Sequence, residues 1–367
     1  MPAELGHAMY ARDVLRFLLR GFLRVRIEMF REKLFDDLSQ STVLLFCDGY
    51  GENCHDFVIA TSDDLNSTDR QVEEVDPRAV ETNRFRFSSY VVPKPARQLY
   101  ESLATDKRVK KLGQVADIGI GYVTGANNFF HVSDEERRKW EIDKRFLRPA
   151  VLNLRGVVGL TYCRECWIAR RSAGEKIYLL SVPAVPKSSL PASLRRYLDY
   201  GEAIGVTERY KCRIRRFWYA VPHVRIPDAF LSYMSGEQPV LVGNSGNFVA
   251  PNTLHILRFA RNSDPFLHSL SWRNSLTRLS CELEGHSLGG GLFKLEPSEA
   301  ENVLVVLPRA AHIEKMAGQL KNAAVGSQQA LDVADRYVLR RKLGLSEADC
   351  LLLRDAAQKV ESWRKHK

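Results

Sequence analysis

No stretch of the 367 residues approaches the ~18 consecutive apolar positions that a bilayer-spanning helix needs. The opening segment to Phe30 is apolar but broken by Arg12, Arg16, Arg20, Arg24 and Arg26. It offers neither the continuous run nor the small-residue cleavage site of a secretory leader, and Glu4, Asp13 and Glu28 argue against an Arg-rich transit peptide. The seven cysteines, an odd number spread from Cys47 to Cys350, do not form a disulfide framework. They suit a reduced, cytoplasmic setting with no membrane partner. Internal repeats and low-complexity tracts are missing as well. So are the Glu-x-Lys tripeptide of the commonest nuclease core, the His-Glu-x-x-His of zinc hydrolases and any Pro-Pro pair.

What is present points to a globular chain with an anionic partner. Hydrophobic residues make up 45% and charged residues 27%, enough apolar material for a sizeable core and about two domains. Lys and Arg number 54 against 44 acidic residues, a formal charge of +10, which favours nucleic acid.

Periodicity gives the coarse order of elements. Val14, Leu15, Leu18, Leu19 and Phe22 recur at helical spacing, and Leu23 to Met29 alternates with period two, as a strand does. Thr42 to Phe46 reads as a buried strand, ended by the glycine turn Cys47-Asp-Gly-Tyr-Gly51. Residues 61–77 are acidic and without apolar period, which predicts a loop and a boundary near 75. From Phe85 to Pro308 short apolar runs broken by Gly, Pro, Asn and Ser predict a strand- and loop-rich region. Beyond Arg309 the chain reads as helical. Leu331, Ala334, Val338 and Leu339 form one stripe, and Ser346 is placed to cap a last helix carrying Leu351, Leu352 and Val360.

Three motifs carry possible chemistry, each with an ordinary alternative. Val115 to Gly125 (VADIGIGYVTG) looks like a glycine turn that cradles a nucleotide or S-adenosylmethionine. Its third glycine falls four residues after the second, however, so a plain glycine-rich hairpin is the other reading. Cys163 and Cys166 have the spacing of half a zinc site. Only a long-range fold bringing in Cys212 and His223 would complete it, and two ordinary buried thiols are the alternative. In the run Arg209 to Tyr219 (RYKCRIRRFWY) several of the arginines alternate, so as a strand they would share a face, and Trp218 and Tyr219 follow at once. Guanidinium groups pair with phosphates or fork onto guanine, and rings stack on bases; a solvated basic strand with a core Trp is the bland reading. Asn244 and Asn247, then Asn252 and His255, add amide and imidazole groups suited to base edges, although Asn beside Gly is also ordinary turn chemistry.

Several stretches together resemble the C-terminal part of gamma-class N6-adenine-specific DNA methyltransferases, the TaqI type and its larger relatives. They are Pro2-Ala-Glu-Leu5, Glu32-Lys-Leu-Phe35, Thr42 to Phe46, Gly121 to Phe130 (GYVTGANNFF), Arg213 to Tyr219, Asn252-Thr-Leu-His255 and Gly289 to Pro297 (GGGLFKLEP). The resemblance covers most of residues 1 to 310. It implies an α/β chain with residues 1–75 as the remnant of a doubly wound, Rossmann-like methyltransferase sheet. Residues 76–310 would be a mixed α+β, strand- and loop-rich DNA target-recognition domain, and 311–367 a helical tail. It implies double-stranded DNA as partner, contacted through Thr124, Asn127, Asn128, Arg213, Arg215, Arg216, Trp218, Tyr219, Asn244, Asn252 and His255. It also implies that Phe46 stacks on a flipped adenine.

The family's glycine-rich S-adenosylmethionine motif and its Asn/Asp-Pro-Pro-aromatic catalytic motif are both missing. The expectation is therefore the recognition half of an adenine methyltransferase, truncated or split, with no catalytic residue, cofactor or metal of its own. An N-terminal methyltransferase polypeptide would supply the S-adenosylmethionine chemistry. A stand-alone DNA-binding specificity subunit is the second reading, and a relocated cofactor site at 115–125 the third.

Overall fold

The computed structural model describes residues 9–35, 42–81, 85–260, 263–288, 291–321, 323 and 327–365; the Pro2 to Leu5 stretch and Gly289 and Gly290 of the expected motifs lie outside them. Helix α1 (Met9–Gly21) runs directly into strand β1 (Phe22–Phe30). Leu15, Leu18 and Leu19 are buried, as the helical spacing requires, and Val25 and Ile27 are wholly buried on the strand that follows. β1 is central in a four-stranded mixed sheet, antiparallel to β2 (Val43–Tyr50) and parallel to β3 (Asp56–Ser62), which pairs antiparallel with β4 (Gln71–Glu74).

Three expectations fail in this segment. β2 is an edge strand of which only Val43 is buried, so its apolar run marks a strand half open to solvent rather than an interior one. It also runs on through Gly49 and Tyr50. Gly49 takes a φ of 71°, and a side chain there would meet the Leu23 Cβ at 2.6 Å, so the glycine serves close pairing with β1 rather than a turn. The acidic stretch 61–77 is not all loop, because β4 lies inside it. Glu73 of β4 is held by Arg97 of helix α2 (Lys94–Thr105), an ion pair that local periodicity cannot reveal.

The middle of the chain is built on a five-stranded sheet of order β5-β9-β7-β8-β6, with β5 at Ala116–Ile120, β6 at Thr161–Tyr162, β7 at Ala229–Ser232, β8 at Leu241–Asn244 and β9 at Leu254–Phe259. Every residue of β7 is buried. Phe230 and Val242 enter a core spanning residues 122–254, while Ala229, Leu231 and Leu241 enter another with Trp272, Cys281 and Phe293. This two-sided burial is why the strands read as continuous apolar runs rather than alternating ones. Around the first of these cores lie helices α3 (Arg164–Ser172), α4 (Ala192–Ala203) and the single turn α5 (Tyr210–Arg213).

Helix α6 (Ser275–Glu284) stands inside the stretch expected to be rich in strands and loops. Beyond Arg309 the chain is helical as read, with α7 (Gln328–Ala334), a π-helical continuation over Asp335–Leu343, and α8 (Glu347–Lys365). Ser346 caps α8, its Oγ accepting from the Asp349 N–H at 3.1 Å and donating to the Asp349 carboxylate at 2.7 Å. Leu331, Ala334, Val338, Leu339 and Val360 are buried; Leu351 is exposed.

These helices share one core with the N-terminal sheet. Val25, Ile27, Phe57 and Ile59 join Leu276, Leu279 and Leu283 of α6 and Leu353, Ala357 and Val360 of α8. Two buried charge clusters lock the helices. Arg364 of α8 donates to both Glu282 oxygens of α6 (3.0 and 3.2 Å) and to the Gly291 carbonyl (2.6 Å). Asp335 accepts from the Ser275 N–H (2.7 Å), Ser275 Oγ (2.6 Å) and Arg354 (2.8 Å). The core thus crosses the expected divisions near 75 and 310.

Candidate nucleic-acid interface

Two of the segments singled out in the sequence, 121–130 and 209–219, come together in space. After β5 the chain zips onto residues 250–254. Gly121 N–H donates to Leu254 O (3.1 Å), Tyr122 N–H to Ala250 O (3.0 Å), and Asn252 N–H returns to Tyr122 O (3.0 Å). A side chain at 121 would collide with the Ala250 and Pro251 carbonyls, which is why glycine stands there. Thr124 Oγ1 accepts from the Ala126 N–H (3.2 Å) and donates to Asn127 Oδ1 (2.5 Å), turning the chain into the short helix Asn127–Phe130. At Gly125 φ is 82°, and a Cβ would lie 2.7 Å from the Lys211 Cβ, so the loop backbone packs directly against α5.

The basic run is not a strand. Tyr210–Arg213 is one helical turn followed by bends, which puts the wholly buried Cys212 inward and its neighbours outward. One buried residue per turn of helix imitates alternation over so short a stretch. Cys212 Sγ donates to Thr124 O (3.6 Å), and burial raises its thiol pKa. Arg215 donates to Val123 O (2.6 Å) and lies 5.9 Å from the Phe130 ring; burial lowers its pKa. The result is a face on which Asn127, Asn128, Arg209, Lys211, Arg213 and Arg216 are all exposed, with Lys176 Nζ holding the Asn128 carbonyl at 2.6 Å.

The remaining predicted residues divide between bracing and other places. Thr124 is wholly buried and Arg215 half-buried, and both are occupied by the contacts just given. Trp218 is half-buried beside Phe129 and Phe130 (centroids 5.5 and 6.3 Å), donates to Glu202 (3.2 Å), and fits because Gly201 leaves room. Tyr219 is buried with its hydroxyl on Val185 O (2.5 Å). Both rings brace the face rather than standing open on it. Asn244 clamps a turn, donating to Pro227 O (2.8 Å) and Phe248 O (2.9 Å) and accepting from the Phe248 N–H (3.1 Å). Asn252 is half-buried next to Tyr122, and His255 is wholly buried with Nε2 at 2.6 Å from Leu295 O, its pKa lowered by burial. Phe46 is 51% exposed on the edge strand opposite Arg26, so it is not a core residue. The aromatic that stands open on the basic face is Tyr210, 62% exposed with Lys211 Nζ 5.5 Å from its centroid. It sits inside the alternating run, masked by the strand reading that put Trp218 and Tyr219 forward.

Neither alternative chemistry is assembled. Gly121 and Gly125 are packed against the chain's own residues 250, 251 and 211, and Gly119 lies within β5 paired to Ile256, so the stretch forms no open cradle and does not fit S-adenosylmethionine. Cys163 and Cys166 lie 3.2 Å apart at Sγ, while Cys212 lies against Thr124. Among the described residues no three His, Cys, Asp or Glu side chains gather as a metal site. Gly285-His-Ser-Leu-Gly289 has the spacing of a hydrolase nucleophile elbow, which the sequence reading missed. It follows a helix rather than a strand, Ser287 donates to Leu288 O (3.1 Å), and His286 is bound to Glu299 (2.8 Å).

The chain is 19% identical over 312 residues to the type II methyltransferase M.AccI of Acinetobacter calcoaceticus, covering 82% of this chain and 56% of that protein. The structure matches that of the type IIG restriction endonuclease BpuSI with a TM-score of 0.50 at 12% identity, covering 100% of this chain and 46% of that one. The chain therefore spans about half the length of these relatives. Residues 84–339 match the model of the C-terminal domain of the type II methyltransferase M.Eco57I, and the chain belongs to that family.

Proposed function

We propose that this chain is the DNA-recognition part of an N6-adenine-specific DNA methyltransferase of a restriction-modification or defence system. The observation that carries the reading is the convergence of loop 121–128 with α5, which gathers Asn127, Asn128, Arg209, Tyr210, Lys211, Arg213 and Arg216 on one exposed face. The cations neutralise phosphates and set register, Tyr210 offers a ring for stacking, and the two amides match adenine edges. The N-terminal sheet is assigned as the edge of the catalytic sheet, with exposed Phe46 as the ring that meets the flipped base. S-adenosylmethionine supplies the methyl group in the complete enzyme. With no Pro-Pro pair in the sequence and no cradle at 115–125, we assign its binding and the transfer step to a separate catalytic segment.

Fluorescence anisotropy with labelled duplex DNA tests the reading. Arg213→Glu with Arg216→Glu is expected to weaken binding by at least about tenfold and to flatten the dependence of log K on log salt by about two contacts. Unchanged affinity and slope would place the interface elsewhere. Methyl transfer from labelled S-adenosylmethionine by the purified chain alone is expected to be nil, and transfer would reject the assignment of the chemistry to another segment. The stand-alone specificity subunit is distinguished by complementation with a related catalytic segment, which would leave the DNA unmethylated.

A further inference from the structure

The Cys163-x-x-Cys166 pair is not used by the function proposed above, and its geometry is specific. Cys163 is the N-cap of α3, with extended backbone (φ −107°, ψ 175°), and Cys166 occupies the N3 position. The same backbone lets a capping Ser or Thr reach the N3 amide, so the side chain at the cap is thrown over the first turn, where Cys166 stands. The two Sγ atoms are 3.2 Å apart and both residues are half-buried, within reach of solvent-borne reagents. Two thiolates on one tetrahedral zinc would stand about 3.8 Å apart at a Zn–S length of about 2.3 Å, whereas a disulfide needs about 2.05 Å. The observed spacing is too close for zinc and near enough for a bond to form by side-chain rotation. Trp167 and Tyr162, buried on either side, and Arg170, bound to Asn153 (3.1 Å) and Arg155 O (2.7 Å), hold the turn in place.

We propose that Cys163 and Cys166 form a reversible thiol–disulfide site that exchanges with low-molecular-weight disulfides. One thiolate attacks a sulfur of the small disulfide, breaking its S–S bond and releasing one small thiolate as a mixed disulfide forms. The second protein thiolate attacks the protein sulfur of that mixed disulfide and releases the other small thiolate. Both leaving groups take up the protons that the protein thiols gave up; the protein pair loses two electrons and the small disulfide becomes two thiols. Burial raises the Cys163 pKa, so exchange is faster at alkaline pH. The sulfurs are also next to a loop root, since the Tyr162 carbonyl accepts from the Ser245 N–H (3.2 Å) and Ser245 Oγ (3.1 Å).

The test equilibrates the full chain in reduced and oxidised glutathione, quenches with acid, alkylates with N-ethylmaleimide and maps tryptic peptides. Trypsin cuts after Arg164, between the two cysteines, so the bond appears as residues 156–164 joined to residues 165–170. The expected result is that linked pair, with Cys212, Cys281 and Cys350 still alkylated only after denaturation. The equilibrium constant is expected to be about tenfold larger in the folded chain than in urea, equivalent to about 30 mV. Cys163→Ser is expected to trap a glutathione adduct on Cys166. No linked peptide, or equal constants in folded and denatured chain, would overturn the proposal.

Discussion

Burial decides what the titratable side chains do, and the sequence does not display it. His131 and His268 are buried, the first with Nε2 at 2.9 Å from the Tyr122 hydroxyl, the second stacked on Phe259 (4.3 Å) with Nε2 at 2.6 Å from Ser263 Oγ. Burial lowers both pKa values to about 4. The unfolded chain binds those protons near the ordinary value of about 6.5. As pH falls from about 6.5 to about 4 the unfolded state therefore gains protons that the native state refuses, and stability is lost across that window, by at most about 3 kcal/mol per histidine. Urea midpoints measured from pH 7 to pH 4 should fall accordingly, and His268→Gln should flatten the fall. A midpoint with the same slope in the variant would show that His268 titrates normally. His255 teaches the same lesson from the other side. Its place in Asn252-Thr-Leu-His255 suits base recognition, yet its imidazole is wholly inside and bound to a backbone carbonyl.

The elements were legible where local period carries the information. Helix α1, strand β1, the capped α8 and the helical C-terminal region follow from spacing and capping residues alone. Elements shaped by a distant neighbour were not. The glycines at 119 to 125 look like a ligand cradle because close backbone approach to a ligand and to another part of the same chain demand the same residue. Here residues 250 and 251 fill the space, which yields a discriminating pair of substitutions. Gly121→Ala collides with two carbonyls that cannot move without unzipping 250–254, and is expected to cost about 1–3 kcal/mol or more. Gly119→Ala, two residues earlier on β5, meets only Ile256 Cγ1 at 4.0 Å and should be nearly neutral. Chemical denaturation of the two variants decides it; equal effects would mean that the 250–254 contact is not what fixes the glycine. The same logic explains why the basic run was misread. Its alternation is real, but Thr124 and Val123, some 90 positions earlier, select the helical turn by binding Cys212 and Arg215.

At the scale of the molecule, composition correctly announced a large core and a cationic surface, but linear order concealed how that core is shared. The N-terminal sheet lacks a complete apolar partner within its own segment; α6 and α8 supply it from the other end of the chain. The C-terminal helices are then structural components of the N-terminal unit rather than an appended tail. Removing residues 346–367 would strip Leu353, Ala357, Val360 and Trp363 from that core. It would also leave Glu282 and Asp335 buried without Arg364 and Arg354. Breaking one partner from a buried ion pair costs about 3–5 kcal/mol, so two such losses and the missing apolar contacts together match or exceed the whole stability of an ordinary domain, about 5–15 kcal/mol. The shortened chain is therefore expected to lose its near-ultraviolet circular dichroism and its cooperative urea transition, whereas Arg364→Ala alone should keep the fold and lower stability by about 3–5 kcal/mol. An independent tail predicts the opposite for the deletion, a native spectrum and an unchanged midpoint, because the sheet would then hold its own core.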